Sequence, residues 1–541
     1  MTTMPFYNRR VFRGLIILLF ALGFTIFSVL RSFEKGRLGN IPNYDDVTYF
    51  MSATDLVQSV KQEGFSGLLD FLSRDGLHSP YSTGLASLSY FICGFHDFAP
   101  YAANGVVVAA YLCGLGYFLR NCSTLAFSLV LWMFLMLPFA TMAVVEFRPD
   151  LAWATVTGFA AVFALTSESF FDRGRVVTGF GVLVGIALLI KPTTFAMTIL
   201  VSCAALGGRW LVEFARTNPG RAKRMLIPSI FISCGSALLV ASPYFAFHWR
   251  DTWSYFFDNS FGKHARDWGN PSGSVWDHWL FYITGEGARS NLGRQCWIVL
   301  PAMLMLGAQY FRQSSLVERL KTASLGIIMA VVYCINSTVD AKTPFLGGAF
   351  YGLLFFSVAY VAGRVLPRLE AASTQLKPAN HRGLVILAIV MTCFYRWPDY
   401  SKWPRNERNL YILKANRAME QYLATYPPPK SILFTQAGPV VPEHINIFYL
   451  RRGERFGMNS GAFFRSMDEF TARSKTVEMI ITQDKETPGG YPYLPAESLQ
   501  DEIVSTLKSD RAFQLSKTIP ITAEKNVYVF TRMPERPHKA D

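Results

Sequence analysis

An acidic pair, Asp45-Asp46, follows the first long apolar run of the chain after a short polar linker. Carboxylates placed side by side can accept a proton from a hydroxyl group or bind a divalent cation. Pro42 and Asn43 favour a turn before the pair, so either aspartate could also cap the helix that follows. The pair alone therefore has two interpretations, a reactive carboxylate and a helix cap, and the rest of the chain has to separate them.

Three more ionisable residues stand close to proline or threonine in short turns between apolar runs: Asp150, Lys191 and Lys342. A single residue of this kind is often an anchor at the end of a membrane span. Together the three could surround one cavity, in which carboxylates transfer protons and lysines bind a phosphate. His78, where the first polar loop ends, could contact a substrate or support the fold.

The elements that must position these residues are apolar runs of about 15–22 residues, which recur from Val11 to Cys393 almost without charge. Hydrophobic residues make up 51% of the chain and charged residues 17%, which argues against a soluble protein. The first run lacks a small-residue cleavage site, so we interpret it as a retained anchor and not as a signal peptide. We predict about eleven spans, near 13–31, 98–119, 124–145, 151–167, 177–190, 193–208, 226–246, 295–311, 323–338, 344–363 and 383–397.

Segment 81–95 is short and rich in serine and glycine, so we predict that it is interfacial or re-entrant. With eleven spans, the basic clusters of the first 400 residues all fall on one side, which the positive-inside rule assigns to the cytoplasm. A further span at 81–95 would move nearly all of them outside. The charge map therefore predicts a cytoplasmic N-terminus and three external regions, 32–97, 247–294 and everything after about 398. It also accounts for the net charge of +14 without a nucleic-acid partner.

The first external loop contains two amphipathic helical patterns, which are typical of helices in the membrane interface. Their apolar residues are Val47, Phe50, Val57 and Val60 in the first, and Phe65, Leu68, Leu69 and Leu72 in the second. Such helices would hold the acidic pair at the depth of the lipid head groups. The second external loop is rich in aromatic residues, which suit an interfacial belt, a lipid chain or a sugar face. They are Phe247, Trp249, Trp253, Tyr255, Phe256, Phe257, Phe261, Trp268, Trp276, Trp279, Phe281 and Tyr282.

The region 405–541 differs from the transmembrane region, 1–400, because it is charged and interrupted by proline and glycine. Strand-like runs alternate there with helical patterns, which predicts a small α/β domain. The strands are expected at 431–435, 479–482 and 526–531, and the helices around 445–451, 467–473 and 499–509. Arg451-Arg452 could contact a ligand, although a solvated helix end is the favoured interpretation. The eight cysteines have no metal-site spacing and are interpreted as small buried hydrophobes.

The order and positions of these residues resemble the C-type (GT-C) membrane glycosyltransferases, above all the branch of protein O-mannosyltransferases and lipid A aminoarabinose transferases. The resemblance covers roughly residues 1–365, and the C-terminal region resembles the soluble domains that often end such proteins. The sequence after Lys342 is Thr343-Pro-Phe345, where the family has an Arg-Tyr continuation. The residues that carry the resemblance are Tyr44-Asp45-Asp46, His78-Ser-Pro80, Arg148-Pro-Asp150, Lys191-Pro192 and Asp340-Ala-Lys342.

The resemblance implies a polytopic α-helical membrane protein with a C-terminal extracytoplasmic α/β domain, placed in a bacterial cytoplasmic (inner) membrane. It also implies an enzyme that transfers a sugar, with inversion, from a polyprenyl-phosphate donor to a protein, lipid or glycan acceptor at the outer face. By the same resemblance, Asp45 is the base, and Asp46 and Asp150 orient the acceptor or a metal. A divalent cation, Mg²⁺ or Mn²⁺, would be bound by Asp45 and Asp150 if the site uses one. The donor phosphate would be bound by Arg148, Lys191 and Lys342, and the substrate would contact Tyr44 and His78.

Two alternatives stay open. A lipid or glycolipid transporter is the first, but ion-coupled carriers need ionisable residues inside the bilayer, and the predicted spans contain almost none. The second is a catalytically silent relative that keeps the fold and acts in assembly. The presence of Asp45, Asp150 and Lys191 argues against a silent relative only to the extent that such a protein would not need these residues.

Overall fold

The computed structural model describes residues 6–34, 45–73, 79–217, 219–260, 274–293, 296–339, 342–372, 377–395, 407–492 and 494–533. Tyr44 and His78 lie outside these ranges, and of Asp45 only the backbone is described. The described residues pack as two compact units. The first falls within 1–29, 69–85 and 101–398, and the second within 30–68, 86–100 and 399–541.

A helix or a pair of helices lies at each of the eleven predicted spans, because each apolar run is long enough to form one. In chain order these and the intervening helices are α1 (Phe6–Glu34), α2 (Asp45–Glu63), α3 (Phe65–Ser73), α4 (Pro80–Cys93), α5 (Ala99–Ala103), α6 (Gly105–Phe118), α7 (Thr124–Leu135), α8 (Pro138–Val145), α9 (Pro149–Thr166), α10 (Gly174–Ile190), α11 (Phe195–Arg216), α12 (Pro219–Ser260), α13 (Val275–Leu280), α14 (Glu286–Leu292), α15 (Cys296–Gln313), α16 (Leu316–Thr338), α17 (Gly348–Ala372) and α18 (Lys377–Phe394).

The predicted count of eleven spans is not confirmed. Among the described residues, seven helices are long and apolar enough to cross a membrane, or eight if the bent pair α7 and α8 forms one span. That pair bends by 63° where Pro138 starts α8, and α10 and α18 are shorter apolar helices. The chain is thus an integral membrane protein, and seven or eight of its described helices meet the length and composition of a full crossing.

Helix α12 changes the prediction for the second external loop. It contains 42 residues, which corresponds to about 63 Å, roughly twice the thickness of a bilayer's hydrocarbon core. Residues 247–260 therefore continue the helix of the preceding span, and their predicted external location stays a prediction. The apolar run ends before residue 247, but an aromatic-rich sequence without proline or glycine can stay helical beyond it.

The first unit is centred on α9, which is buried along most of its length. A Cβ atom added to Gly158 in α9 would lie 2.5 Å from the carbonyl carbon of Gly352 in α17, so the two backbones are in direct contact. Tyr111 packs on this core, with its ring centroid 5.4 Å from that of Phe139 and 6.1 Å from that of Phe355. The close packing makes α9 a rigid support for the residues at its two ends.

The second unit contains a five-stranded sheet in the order β2-β1-β3-β5-β4. Strands β2, β1 and β3 are parallel, and β5 runs antiparallel to both β3 and β4. The predicted strands are present as β1, β3 and β5, whereas β2, β4 and helix α19 were not predicted. The elements are α19 (Glu407–Thr425), β1 (Ser431–Phe434), α20 (Pro442–Arg451), β2 (Gly457–Ser460), α21 (Met467–Ser474), β3 (Met479–Gln483), α22 (Gln500–Ser509), β4 (Phe513–Pro520) and β5 (Asn526–Arg532).

Each face of this sheet is covered by helices, so the small α/β arrangement predicted for the C-terminal region is present. Helices α19 and α20 pack on one face, against residues such as Ile432 and Ile481. Helices α21 and α22 pack on the other, against Leu433 and Ile480. Neighbouring strand residues point to opposite faces, which is the alternation expected of a sheet with a core on each side.

Helix α2 does not expose its apolar face as an interfacial helix would. Val47, Phe50 and Val57 are buried, α2 packs against α20, and Phe50 contacts Tyr90 of α4 at a ring-centroid distance of 6.1 Å. A periodic pattern predicts an apolar face but does not reveal what covers it. In α3, by contrast, the predicted apolar residues Phe65, Leu69 and Leu72 are exposed.

Two ion pairs join the predicted first external loop to the α/β part of the second unit. Arg451 donates to Asp97, and Arg455 Nη2 lies 2.6 Å from Asp55 Oδ1. Arg451 is thus bound to a protein carboxylate, and the favoured interpretation of a solvated helix end was wrong for this residue. Helix α20 ends in a segment whose arginines hold α2 and the residues after α4.

Candidate functional site

Asp150 and Lys191 form an ion pair at one end of the α9–α10 hairpin. Asp150 is the second residue of α9, and Lys191 is the residue that ends α10. Because the two helices are antiparallel neighbours, the start of one meets the end of the other, and Lys191 Nζ donates to Asp150 Oδ1. The side chains are 16% and 9% exposed, respectively. The aspartate at a helix N-terminus and the lysine at a helix C-terminus are also favoured by the two helix dipoles.

Arg148 lies directly before α9 and extends the group of charges. Its Nε is 3.9 Å from Glu146 Oε2, and its guanidinium carbon lies 4.6 Å from the centre of the Phe345 ring. Phe345 belongs to the turn that follows Lys342, so the predicted late external loop reaches the start of α9. Glu146 was not predicted as a site residue, although a buried acid at the end of an apolar run is a usable signal.

Lys342 uses its ammonium group to cap α16. Its Nζ lies 2.8 Å from the carbonyl oxygen of Asn336 and 3.0 Å from that of Ser337, and it also donates to the carbonyl of Val339. The ring centre of Tyr282 is 5.8 Å away. An ammonium group has three N–H donors, so a phosphate would have to displace one of these carbonyl contacts. The role of Lys342 as a phosphate ligand stays a prediction.

The segment that follows His78 reaches the same end of the hairpin. Ser79 Oγ donates to the carbonyl oxygen of Ile190, at 2.7 Å, immediately before Lys191. Ser79 Oγ also accepts from the backbone N–H of Ser82, at 3.1 Å, and so caps α4. Ser79 is part of the His78-Ser-Pro80 motif but was not predicted as a site residue, although a serine before a proline is a recognised signal for the start of a helix.

An aromatic group stands beside the turn that carries Lys191. Phe195 begins α11, and its ring centroid is 5.6 Å from that of Trp253 and 5.0 Å from that of Phe256 in α12. Trp253 and the adjacent Phe257 are about half exposed. Part of the predicted aromatic set therefore forms an exposed apolar surface that packs against Phe195, four residues along the chain from Lys191.

The acidic pair belongs to the second unit. Asp46 is buried in the first turn of α2, and Asp45 provides the first residue of that helix. The first turn of a helix is a favourable place for a carboxylate, so the capping interpretation fits the backbone. In the first unit the structure brings Arg148, Asp150, Lys191 and the segment after Lys342 to one end of the helical bundle.

A divalent cation has no evident site in the described part of the chain. No group of three or more His, Cys, Asp or Glu side chains that could hold a metal occurs there. Asp150, one of the two predicted ligands, has its carboxylate against the Lys191 ammonium, and a cation would have to compete with that charge. The residues seen around Asp150 therefore do not fit a metal centre, and the Mg²⁺ or Mn²⁺ expectation stays a prediction.

Comparisons with known proteins agree with this architecture. No family model matches the sequence, and no curated protein matches it significantly. Among solved structures, ArnT from Cupriavidus metallidurans bound to undecaprenyl phosphate superposes with a TM-score of 0.53 at 12% identity, over 95% of this chain and 97% of ArnT. The apo form of ArnT gives a TM-score of 0.51 at 13% identity, over 89% and 93% of the two chains. The chain therefore shares the fold of ArnT over nearly its whole length, which is the architecture that the resemblance implied.

A third solved structure is more distant. The archaeal oligosaccharyltransferase AglB from Archaeoglobus fulgidus, in complex with an inhibitory peptide and a dolichol-phosphate, gives a TM-score of 0.43 at 12% identity. The match covers 86% of this chain and 69% of AglB.

Proposed function

We propose that the protein is an inverting glycosyltransferase that moves a sugar from a polyprenyl-phosphate donor to an acceptor at the outer face of the bacterial cytoplasmic membrane. The observation that carries the proposal is the fold shared with ArnT over 95% of the chain, in a structure that holds undecaprenyl phosphate. A polyprenyl phosphate is an amphiphile, and a transferase for it needs cations near the membrane surface beside an apolar surface.

Arg148 and Lys191 are the cations that we assign to the donor phosphate, with Lys342 as a further predicted ligand. Asp150 holds the Lys191 ammonium at the end of α10, so that its remaining N–H donors have a fixed direction. The exposed rings of Trp253 and Phe257 lie in the helix next to the Lys191 turn and offer a surface to the prenyl chain. A site of this kind would bind the phosphate by charge and the lipid by apolar contact.

The reaction is a single displacement at the anomeric carbon. The acceptor oxygen forms a bond to that carbon as the bond between carbon and phosphate oxygen breaks, and the electron pair leaves with the prenyl phosphate. Asp45 takes the proton of the acceptor hydroxyl, and Asp46 and Asp150 are the further carboxylates that we assign to orienting the acceptor. Tyr44 and His78 contact the substrate. One displacement inverts the configuration, and positioned cations stabilise the charge that develops on the leaving phosphate.

The orientation follows from the charge map, in which the basic clusters of the first 400 residues are cytoplasmic. A reporter that is active only in the cytoplasm, fused after Asp541, should therefore give no signal. The same reporter fused after Arg216 should be active, because α11 ends there on the predicted cytoplasmic side. A bright C-terminal fusion would overturn the outer-face location.

The function is tested in a strain that lacks the gene, by mass spectrometry of the cell-envelope glycans. Loss of one sugar modification is expected in that strain, and the wild-type gene should restore it. Asp45→Asn should not restore it, although the variant protein should reach wild-type levels in the membrane. Glu63→Gln is the matched control, since Glu63 is an exposed acid at the other end of the same helix.

Full restoration by Asp45→Asn would remove Asp45 as the base. It would favour a non-catalytic role in assembly for a chain of this fold. Unchanged envelope glycans in the deletion strain would overturn the transferase proposal as a whole.

A further inference from the structure

The first unit contains a cavity of about 730 Å³ at the end of the α9–α10 hairpin remote from Asp150. Helices α6, α9 and α17 run toward it, and α10 starts there. The volume falls in the range of typical small-molecule sites, about 300–1,000 Å³. The residues that line it are Tyr117, Phe118, Arg120, Asn121, Phe163, Thr166, Ser167, Glu168, Ser169, Arg173, Arg175, Val176, Tyr360, Gly363 and Arg364.

The lining is strongly basic. It includes four arginines, Arg120, Arg173, Arg175 and Arg364, and Glu168 is its one acidic residue. Arg173 and Arg175 flank the first residue of α10, and no side chain caps this helix start. Backbone N–H groups at a helix N-terminus add positive potential of their own. An anion is therefore the ligand that the charges of this cavity favour.

Neighbouring side chains hold two of the arginines in place. Arg364 Nη2 lies 3.3 Å from Glu168 Oε1, and its guanidinium carbon lies 5.6 Å from the centre of the Tyr360 ring. Tyr360 is fixed in turn, because its hydroxyl donates to Glu318 of α16. Arg120 stacks on Tyr117 at 4.5 Å. Stacked guanidinium groups lose less freedom on binding, and their planar forks match the geometry of a phosphate.

One wall of the cavity is apolar. Phe118 is buried there, and the Tyr117 and Phe163 ring centroids are 5.6 Å apart in an edge-to-face arrangement. These aromatics belong to the last turns of two apolar helices, α6 and α9. The ligand surface therefore combines phosphate-binding cations with the ends of membrane-crossing segments, where lipid head groups lie.

We propose that this cavity binds the phosphate head group of an anionic membrane lipid. It is separate from the site around Asp150, because the 18-residue helix α9, about 27 Å long, lies between the two. Basic pockets between transmembrane helices on the cytoplasmic side commonly bind anionic head groups. The proposal does not depend on sugar transfer and is tested without turnover.

The test places the purified protein in nanodiscs that contain equal amounts of phosphatidylglycerol and phosphatidylcholine, and uses native mass spectrometry to count the lipids that remain bound. The wild-type protein should retain phosphatidylglycerol in preference to phosphatidylcholine. The double variant Arg173→Gln/Arg175→Gln should lower that preference about tenfold. Arg224→Gln/Arg382→Gln, which removes two exposed arginines that do not line the cavity, should leave it unchanged.

A second variant, which should raise lipid retention, distinguishes a specific loss of binding from a loss of folding. Glu168→Gln removes the one negative charge of the lining and leaves Arg364 over the Tyr360 ring, so it should raise the retention of phosphatidylglycerol. Equal retention in the wild-type protein and both cavity variants would overturn the proposal. Displacement of the lipid by millimolar inorganic phosphate would assign the cavity to a soluble anion and overturn the lipid as its ligand.

Discussion

The α9–α10 hairpin ends in two very different groups of charges. We call the end with Asp150 and Lys191 the Asp150 end, and the end with the four cavity arginines the arginine end. At the Asp150 end, one carboxylate and one ammonium contact each other and are largely buried. At the arginine end, Arg173 and Arg175 are exposed, and Glu168 is the single acid of the lining.

The two groups differ in how much hydration their charges have lost. A charge that has left water depends on its partner, and the loss of that partner leaves an ion that the protein cannot solvate. A charge that is still hydrated costs little to remove and remains available to a ligand. We therefore expect substitutions at the Asp150 end to change stability and transfer, and substitutions at the arginine end to change binding alone.

The largest effect is expected for Lys191→Met. This change leaves the buried Asp150 carboxylate without the ammonium that it contacts, and should lower the free energy of unfolding by about 3–5 kcal/mol. Thermal unfolding in detergent, followed by tryptophan fluorescence, measures the change. The double variant Asp150→Asn/Lys191→Met is the control, and it should recover most of the stability without recovering transfer. Equal stability of the single variant and the wild type would break the comparison.

A smaller effect is expected for Gly158→Ala, in the middle of α9. The new methyl group would lie 2.5 Å from the backbone of Gly352, and separating the helices should cost about 1–3 kcal/mol. Sugar transfer, which depends on the Asp150 end, and lipid retention, which depends on the arginine end, should both decrease. Gly179→Ala in α10 is the matched control, because its methyl group would meet no atom within 4 Å. A loss at one end only would show that α9 does not support both.

The reactivity of the Cys122 thiol reports how deeply the chain is buried near the arginine end. Burial, assisted by the charge of Glu370 and opposed by that of Arg13, raises the pKa of the Cys122 thiol to about 12. Its alkylation by N-ethylmaleimide in a single-cysteine variant should be about tenfold slower than that of the exposed Cys93 in a matched variant. The reactive thiolate becomes more abundant as the pH rises toward the pKa, so the rate should still be rising at pH 9. A rate that levels off below pH 9 would contradict this burial.

The smallest effect on stability is expected for Arg173→Gln/Arg175→Gln. Both side chains are exposed, so the free energy of unfolding should change by no more than about 0.5 kcal/mol. The same thermal unfolding assay measures it, at low and high salt. A loss as large as that of Lys191→Met would mean that these arginines support the fold, and the contrast between the two ends would disappear.

The sequence predicted the positions of the helices better than their lengths. Apolar runs marked each membrane helix, because burial in lipid needs a long apolar segment. The bend at Pro138 and the extension of α12 to Ser260 depend on local backbone and polar sequence, which hydropathy does not register. Strand β2 was missed because Gly457–Ser460 has no alternating apolar pattern and lies at the edge of the sheet.

The candidate site was predicted in part. The proximity of Asp150 and Lys191 followed from topology alone. Asp150 lies at the start of α9, and Lys191 lies at the end of α10, the next helix, which returns alongside it. The capping contacts of Lys342 depend on how the chain turns back on the end of α16, which spacing does not reveal. The arginine cavity was not predicted, because Arg120, Arg173 and Arg364 come from distant segments and each carries only the common positive-inside signal.

The packing of α2 on α20 can form only late in the synthesis of the chain. About 380 residues separate the end of α2 from the start of α20. At a translation rate of about 5–20 residues per second, that interval lasts roughly 20–75 seconds. During this time α2 has been made, but α20, a helix that packs against it, has not. Because α20 cannot cover α2 before residue 442 has been synthesised, we expect α2 to reach its final packing only after most of the chain has been made.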